Sequence, residues 1–483
     1  NVVGAQLGKD AIHTSLIAGA IGLGIVILFM ICVYYIPGLT AGIALLSYVG
    51  VVLLTLNAFD LTLTLPGIAG IILSIGMAVD ANVIIFARIR EELATGKTVR
   101  SSIKIGFDKA RSAILDGNIT TLIAAFVLAI KGTGPVKGFA QTLAIGIIWS
   151  MVTALFVTRW ILNALFAIGL QSEKLYGVAK ERKPIDFVSK KAVFFGISIA
   201  MILIGFVFLG VNKAQTGDVL NLSLEFKGGT STSVTFNEDL SIEDIDEQVV
   251  PLIEKITGDG NVQTQKVSGT NEVVIKTRTL TVDERNAFNQ VMKDSFSVDE
   301  SKIVAETISA TISKEMSRDA IIAVIIATIC MLIYIWFRFK DIRFAASAVL
   351  ALLHDVLVVL AFYAIARVSV GNTFIACMLT IVGYSINATI VIFDRIRENL
   401  AITKKADLKD VVNASITQTL SRSINTSLTT FAMVAVLYAL GVTSIREFAL
   451  PLMVGFVCGA YSSVCVTGPL WFVLKKIQKK VAN

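Results

Sequence analysis

The sequence predicts a polytopic α-helical membrane protein, with two parallel repeats of transmembrane helices and a small α+β ferredoxin-like domain outside the membrane. Three observations predict this fold class. Of the 483 residues, 55% are hydrophobic and only 16% are charged, which is far more apolar than a soluble protein. Eleven apolar segments are long enough to cross a bilayer as helices. The two ends of the chain also repeat one another at a nearly constant spacing.

The orientation of the spans follows from their basic loops. Lysine and arginine crowd the connections at residues 88–111 and 174–191. Because basic loops stay on the cytoplasmic side, both connections are expected inside the cell, and the stretch from Val211 to Met316 is expected outside. The predicted spans are residues 12–35, 38–58, 66–88, 112–131, 138–166, 190–211, 317–337, 342–367, 372–395, 417–440 and 445–474.

The outer segment has the pattern of a soluble domain with the element order βαββαβ, which predicts a ferredoxin-like layer. Thr281 and Glu284 form a capping-box pattern that begins the second helix. Gly228 and Gly229 predict a bend or bulge, with a partner contact as the alternative. The elements are predicted at residues 224–236 (strand), 241–256 (helix), 262–267 and 272–278 (strands), 281–296 (helix) and 303–308 (strand).

An internal repeat organises the chain. The segment GMAVDANVIIFARIRE at Gly76 matches GYSINATIVIFDRIRE at Gly383, a spacing of 307 residues. Both segments run from outside to inside, so the repeats are parallel and related by a pseudo-twofold axis along the membrane normal. By the same symmetry, a further span and outer domain are expected before residue 1. The predicted domains are the first repeat (1–189), the first span of the second repeat (190–211), the extracytoplasmic domain (212–316) and the rest of the second repeat (317–483).

Asp80 is the most informative residue, because it is a carboxylate inside the otherwise apolar third span. It precedes Arg88 by eight residues, and therefore lies about 12 Å inside the boundary that this arginine marks. A charge at that depth costs about 3 kcal/mol on insertion scales, and such residues usually face the bundle interior and mark an ion or proton path. The alternative is a protonated aspartate that joins two helices by a hydrogen bond.

Six motifs, in a fixed order, resemble the SecD and SecF family of the bacterial Sec protein-export pathway, within the resistance-nodulation-division superfamily. The resemblance covers nearly the whole chain, but lacks the family's first span and first outer domain. It also departs at Ala388, where the family pattern Ser-Ile-Asn-Asp-Thr has an aspartate. The motifs are VDANVIIFARIREE (79–92), DGNITTLI (116–123), LEFKGGT (224–230), LLHDV (352–356), GYSINATIVIFDRIREN (383–399) and SRSINTSLTT (421–430).

The resemblance implies a function and a location. It implies an accessory subunit of the Sec translocase that uses the proton or sodium gradient to assist protein export on the outer face of the membrane. It implies a multi-pass protein of the bacterial inner (cytoplasmic) membrane and no enzymatic activity. Its implied partners are the Sec translocase channel, accessory membrane proteins, membrane lipid and the unfolded exported polypeptide.

Asp80 and Arg422 are the predicted proton relay. Arg422 lies near the start of the fourth span of the second repeat. An arginine stays positively charged at the pH values at which a carboxylate binds and releases a proton. Its alternative role is a boundary cation that reaches the cytoplasmic headgroups. The resemblance favours the relay, because the family's motif around this arginine is implicated in it. We therefore expect the two side chains to approach each other between the two halves of the chain.

Further residues are candidates for the relay or for hydrating it. Asp116 is interpreted either as an ion-pair partner of Arg422 or as a surface acid. Asp355 is either a functional acid or part of a hydrogen-bonded structural pair, and the threonines are either polar path groups or packing groups. Ala388 is the vacated family carboxylate position. The candidates are Asp355, Asp116, Asn387, Thr120, Asn425 and Thr426.

Several functions are excluded or disfavoured. All five cysteines fall in apolar spans and only two histidines exist, so no metal site or cofactor is expected. The formal charge of +7 comes from basic loops beside the spans, which does not indicate nucleic-acid binding. A small-molecule or lipid exporter of the same superfamily remains the alternative. An intramembrane aspartyl protease would use Asp80 and Asp355 as its dyad, but its Gly-x-Gly-Asp signature is absent.

Overall fold

The first repeat forms five membrane-length helices. The computed structural model describes residues 5–61, 64–132, 135–179, 182–241, 244–258, 262–267, 270–403 and 407–481. Across these ranges, eleven helices are long and apolar enough to cross a membrane, which confirms the predicted number and order of spans. The first five are α1 (Ala5–Tyr34), α2 (Ile36–Ala58), α3 (Leu65–Ala94), α4 (Val99–Lys131) and α5 (Pro135–Val152), which continues as α6 (Thr158–Ala167) after one π-helical turn.

The outer domain follows α7 (Lys191–Thr216) and contains a four-stranded sheet. Its strand order is β2-β3-β1-β4, and each pairing is antiparallel. The order βαββαβ is observed as expected, whereas the ferredoxin-like assignment of the layer stays a prediction. The elements are α8 (Leu224–Lys227), β1 (Gly229–Thr235), α9 (Val250–Thr257), β2 (Gln263–Lys266), β3 (Glu272–Thr277), α10 (Val282–Phe296) and β4 (Ile303–Ile308).

The first strand begins later than the sequence predicts. Residues 224–227 form the short helix α8 and not the start of a strand. Gly228 ends this helix with a φ of 75° and Gly229 has a φ of 117°, values that side chains with a Cβ rarely adopt. The predicted bend at these two glycines is therefore confirmed, and β1 begins at Gly229.

The predicted capping box opens α10. Glu284 N donates to the side chain of Thr281, and Thr281 N donates to Glu284 Oε2 at 2.8 Å. Hydrogen bonds from Arg278 lower the pKa of Glu284 to about 2. The helix packs against the sheet, and the outer domain has its own hydrophobic core. This core is formed by Val234, Phe236, Ile245, Val249, Ile253, Val273, Ile275, Phe288, Met292 and Val298.

The second repeat returns through five more membrane-length helices. The matching third spans, α3 and α13, lie deepest: the most apolar 18-residue stretch is 100% buried in α3 and 89% buried in α13, against 11% in α7. The fold therefore places the residues of α3 and α13 at the centre of the bundle. The helices are α11 (Ala310–Phe339), α12 (Ile342–Ala366), α13 (Asn372–Ile402), α14 (Leu408–Leu440) and α15 (Thr443–Tyr461), which continues as α16 (Gly468–Val481) after a π-helical turn at Ser462–Thr467. The four predicted domain ranges stay a prediction.

Candidate functional site

Equivalent positions of the two repeats meet at the centre of the bundle. Asp80 on α3 and Asn387 on α13 are 307 residues apart, and Asn387 Nδ2 donates a hydrogen bond of 2.6 Å to Asp80 Oδ2. Because the repeat relates the two positions, this contact lies at the pseudo-twofold axis. Asp80 is buried, and an amide donor stabilises a buried carboxylate without adding a charge.

Arg422, on α14, lies beside the contact between Asp80 and Asn387. Asp80, Asn387, Ala388 and Arg422 line one cavity of about 10 Å³, close to the volume that one water molecule requires. The predicted approach of Asp80 and Arg422 between the two halves is therefore observed, although the two form no ion pair within 4.0 Å. Nη2 of Arg422 is buried and has no hydrogen-bond partner among the described residues.

A second, wider cavity reaches this arginine from the basic ends of α3 and α13. It has a volume of about 710 Å³, and Arg422 lines both cavities. The guanidinium group thus lies between the wide cavity and the carboxylate of Asp80. By the orientation of the basic loops, the wide cavity opens on the cytoplasmic side. Its charged lining residues are Arg90, Glu91, Glu92, Lys109, Arg182, Arg395, Glu398 and Arg422.

An ion-pair network at the basic ends of α3 and α13 was missed by sequence reasoning. Arg88 and Glu91 of α3 correspond in the repeat to Arg395 and Glu398 of α13. Arg88 pairs with Glu398 at 3.2 Å, and Arg395 pairs across the interface with Glu91. Each arginine also pairs with the glutamate three residues later on its own helix. The signal was present, because both copies of the repeat contain Arg-Ile-Arg-Glu.

Asp116 is neither a surface acid nor a partner of Arg422, so both interpretations of it are wrong. Its side chain is buried on α4, where Arg338 Nε donates to Oδ2 at 2.6 Å and the Tyr334 hydroxyl donates to Oδ1 at 2.8 Å. Both donors belong to α11, which packs against α4. Asp116 therefore joins the two repeats through α11, with Arg338 as its cation.

The Arg338→Gln variant is expected to lose about 2 to 3 kcal/mol of stability, because it leaves the buried charge of Asp116 without its cation. Thermal unfolding of the purified protein measures this loss. The double variant Arg338→Gln with Asp116→Asn removes the buried charge as well, and we expect it to recover most of the stability. A double variant no more stable than the single one would argue against the ion pair.

The remaining polar candidates are Thr426, Thr120 and Asn425. Thr426 lines the Asp80 cavity, and its hydroxyl donates to the carbonyl of Ser423 at 3.1 Å. Thr120 donates within its helix to the carbonyl of Gly117 at 2.6 Å and is not among the residues that line the cavity. Asn425 donates to the Tyr34 hydroxyl at 2.9 Å. Both threonines therefore make the backbone contacts that a packing role implies, and Thr426 alone of the two also faces the site.

Asp355 on α12 is fully buried and has four polar neighbours. His354 Nδ1 lies 2.9 Å from Oδ1, and Cys458 Sγ donates to the same oxygen at 3.3 Å. The hydroxyl groups of Ser385 and Ser462 donate to Oδ2. The hydrogen bonds that the structural alternative for Asp355 implies are present, and its functional alternative stays a prediction. The other three residues come from α13, α15 and the following π-helical turn, so spacing along the chain could not reveal them.

Gly117 allows Asn387 to reach Asp80. An ideal Cβ at Gly117 would lie 1.9 Å from Oδ1 of Asn387, which is closer than any real contact. We expect Gly117→Ala to displace the Asn387 side chain and to cost about 1 to 3 kcal/mol of stability through overpacking. Gly24→Ala is the matched control, since nothing lies within 4 Å of its Cβ position. Equal thermal unfolding midpoints for the two variants would contradict the tight contact.

The fold and the site together define a class of protein. It is a duplicated, multi-pass membrane protein with a buried ionisable site where its two repeats meet. A carboxylate and an arginine line one small cavity in the centre of the bundle, and a wide cavity reaches the arginine. Intramembrane acids in such a position mark ion or proton paths.

Comparisons with known proteins identify the family. The family model described as protein export membrane protein SecD/SecF, C-terminal, matches residues 1–167 and 287–477. The chain therefore belongs to the SecD/SecF family. It is 38% identical to the protein translocase subunit SecDF of Bacillus subtilis over 498 residues, which covers 98% of the chain and 65% of that protein. It is 35% identical to the protein of the same name from Thermus thermophilus, covering 99% of the chain and 64% of that protein.

Solved structures show the same similarity. A crystal structure of SecDF from Thermus, described as a translocon-associated membrane protein, superposes with a TM-score of 0.87 and 34% identity over 98% of the chain. A SecDF structure in a super-membrane-facing form gives a TM-score of 0.76. The chain spans 63% to 65% of the length of these relatives, which is less than two thirds. Family membership and the eleven spans place it in the inner membrane as a multi-pass protein.

Proposed function

We propose that the protein assists protein export as an accessory subunit of the Sec translocase, and that it draws on an ion gradient through Asp80 and Arg422. The observation that carries the proposal is the shared cavity of these two residues at the interface of the repeats. The relatives that support it are described as protein translocase subunits. The Sec channel, its accessory membrane proteins, membrane lipid and the unfolded exported polypeptide are the proposed partners.

The site can couple proton binding to a change in packing. When Asp80 is ionised, it accepts the hydrogen bond from Asn387 and faces the charge of Arg422 across the small cavity. A proton on Asp80 removes the negative charge that balances Arg422 in a low-dielectric interior. The guanidinium group then lowers its electrostatic energy by turning toward the wide cavity, which Arg422 already lines. Because Asp80 and Asn387 belong to different repeats, this step changes the contact between the repeats.

The helix α13 connects the site to the outer domain. Oε2 of Glu225, in the LEFKGGT motif, accepts a hydrogen bond of 2.9 Å from the backbone N–H of Asn372, the first residue of α13. Nearby, Val370 N donates to the carbonyl of Asn221 at 2.8 Å and Ser223 N donates to the carbonyl of Val370 at 2.9 Å. Asn387 lies about 22 Å further along the same helix. A shift of α13 at Asn387 is therefore carried to the base of the outer domain.

The alternatives receive less support. The wide cavity of about 710 Å³ lies at the basic ends of the helices and not in the outer domain, where a small-molecule or lipid exporter would need its substrate cavity. A protease dyad requires two carboxylates at one place, but Asp80 and Asp355 bind different residues of α13 and share no hydrogen bond. We propose no catalytic activity, cofactor or metal for this function.

The proposal is tested in inverted membrane vesicles that contain the Sec channel and its motor. Translocation of a secretory precursor is measured with and without this protein, under an imposed proton gradient, an imposed sodium gradient, or neither. We expect the protein to increase translocation only when one of the two gradients is present. Equal stimulation without any gradient would overturn the proposed use of an ion gradient, and a lack of stimulation in every condition would overturn the role in export.

A further inference from the structure

The helix α13 is held between two buried carboxylates. Its Asn387 donates to Asp80 on α3, and its Ser385 donates to Asp355 on α12. The two donors are two positions apart, which places them about 200° apart around the helix, on nearly opposite faces. Any change of charge at one carboxylate therefore alters the forces on the same turn of α13 that contacts the other.

The two repeats each supply one of these acids, at positions that do not correspond. Asp80 corresponds to Asn387, whereas Asp355 corresponds to Tyr48, whose hydroxyl makes a neutral hydrogen bond of 2.7 Å with Ser74. The first repeat thus has no carboxylate where the second has Asp355. The repeated fold alone therefore does not require an acid at position 355. In the first repeat, the phenol of Tyr48 provides the polar group at this position.

The surroundings of Asp355 contain a second titratable group in direct contact and no cation. His354 Nδ1 lies 2.9 Å from the carboxylate, and His354 Nε2 is buried with no hydrogen-bond partner in the described part of the chain. The other titratable side chains that face the pair are Cys458, which donates to Asp355, and Tyr461, whose ring lies 6.1 Å from that of His354. Among the described residues, no lysine or arginine forms an ion pair with Asp355.

We propose that Asp355 and His354 form a second proton-binding site, coupled to Asp80 through α13. This proposal rests on the proposed use of a proton gradient. A proton binds at Nε2 of His354, the Nδ1 proton passes to Oδ1 of Asp355, and the carboxylate becomes a neutral acid. Hydrogen bonds to a charged acceptor are roughly twice as strong as those to a neutral one, so the contact with Ser385 weakens and α13 is released on that face.

The π-helical turn at Ser462–Thr467 fits this role. The hydroxyl of its first residue, Ser462, donates to Oδ2 of Asp355 at 2.8 Å, and the side-chain hydroxyl of Thr467 donates to the carbonyl of Ser462 at 3.0 Å. Turns of this kind are frequent at functional sites and offer a second local geometry. Both α13 and the π-helical turn therefore lose a charge-assisted contact in the same protonation step.

Infrared difference spectroscopy of the purified full chain in lipid, after a jump to acidic pH, tests the proposal. We expect a protonated-carboxyl band that is absent in Asp355→Asn, present in Asp80→Asn and unchanged in the matched control Tyr48→Phe. In Ser385→Ala, which keeps both acids, the band should form more readily than in the wild type, because the ionised acid loses one hydrogen-bond donor. The band of Asp80 should move as well, since α13 links the two sites.

Two results would overturn the proposal. One is the absence of any band that depends on Asp355 after the jump to acidic pH. The other is a Ser385→Ala variant in which the Asp80 band does not move.

The spectroscopy and the export assay fail independently. If Asp355 shows the expected band but export does not respond to an ion gradient, the proton site stands and the proposed function falls. If export responds to the gradient and requires Asp80 while no Asp355 band forms, the second site alone is rejected. Ser385→Ala keeps the test decisive if Asp355→Asn does not fold, because a lost hydroxyl leaves no buried charge unpaired.

Discussion

The Asp80→Asn variant should lose the whole gradient-dependent part of export stimulation while it keeps its fold. Asparagine has nearly the shape of aspartate and can still accept the hydrogen bond from Asn387, but it cannot bind and release a proton at physiological pH. A potential of 100 mV is worth about 2.3 kcal/mol for each charge moved, which corresponds to a roughly fifty-fold change in the ratio of two conformations. Without a titrating group at position 80, no proton binds at this site, so the gradient cannot change the ratio of the two conformations.

The measurement is precursor translocation in inverted vesicles with and without a protonophore. Asp394→Asn is the matched control, since Asp394 is a carboxylate on α13 that pairs with Arg397 at 3.1 Å and with Arg338 at 3.7 Å and does not line the Asp80 cavity. We expect the control to keep its response to the protonophore and Asp80→Asn to show none. Gradient-dependent stimulation that survives in Asp80→Asn would reject Asp80 as the relay.

The contact between Asp80 and Asn387 could be predicted because the repeat determines it. Equivalent residues of two parallel repeats lie at the same depth, and those that face the pseudo-twofold axis must meet. The same argument could have placed Arg88 with Glu398 and Arg395 with Glu91, had it been applied to the ends of the two spans. Of the contacts at this site, the sequence analysis predicted only the approach of Arg422 to Asp80, from the charge of each residue in its own span.

The pairs that sequence reasoning missed depend on how helices are rotated against neighbours from the other part of the chain. Asp116 finds its cation on α11, and Asp355 collects donors from three separate segments. A 3.6-residue period shows which face of one helix is polar, but not which neighbour that face contacts. The start of β1 was missed for a local reason, since alternating residues at 224–227 could form a strand until Gly228 turned the chain.

Installing the family's carboxylate through Ala388→Asp is expected to increase proton flux and gradient-dependent export. Ala388 lines the same cavity as Asp80 and Arg422. The cavity has a volume of about 10 Å³, and Nη2 of Arg422 is buried with no hydrogen-bond partner within the described ranges. A carboxylate on this side of the cavity can accept a hydrogen bond from that nitrogen. Two acids around one arginine can share a single proton and stay near neutral, so the site passes between two charge states at a smaller electrostatic cost.

The expected gain is measured as proton flux into vesicles with an imposed gradient, together with precursor export, for Ala388→Asp against the parent chain. Ala388→Asn is the matched control, because it adds the same volume and a hydrogen-bond acceptor but no titrating group. A gain in the aspartate variant alone identifies the vacated carboxylate as a relay position. Equal gains in both variants would show that only the filled cavity matters, and no gain in either would show that Asp80 needs no second acid at this cavity.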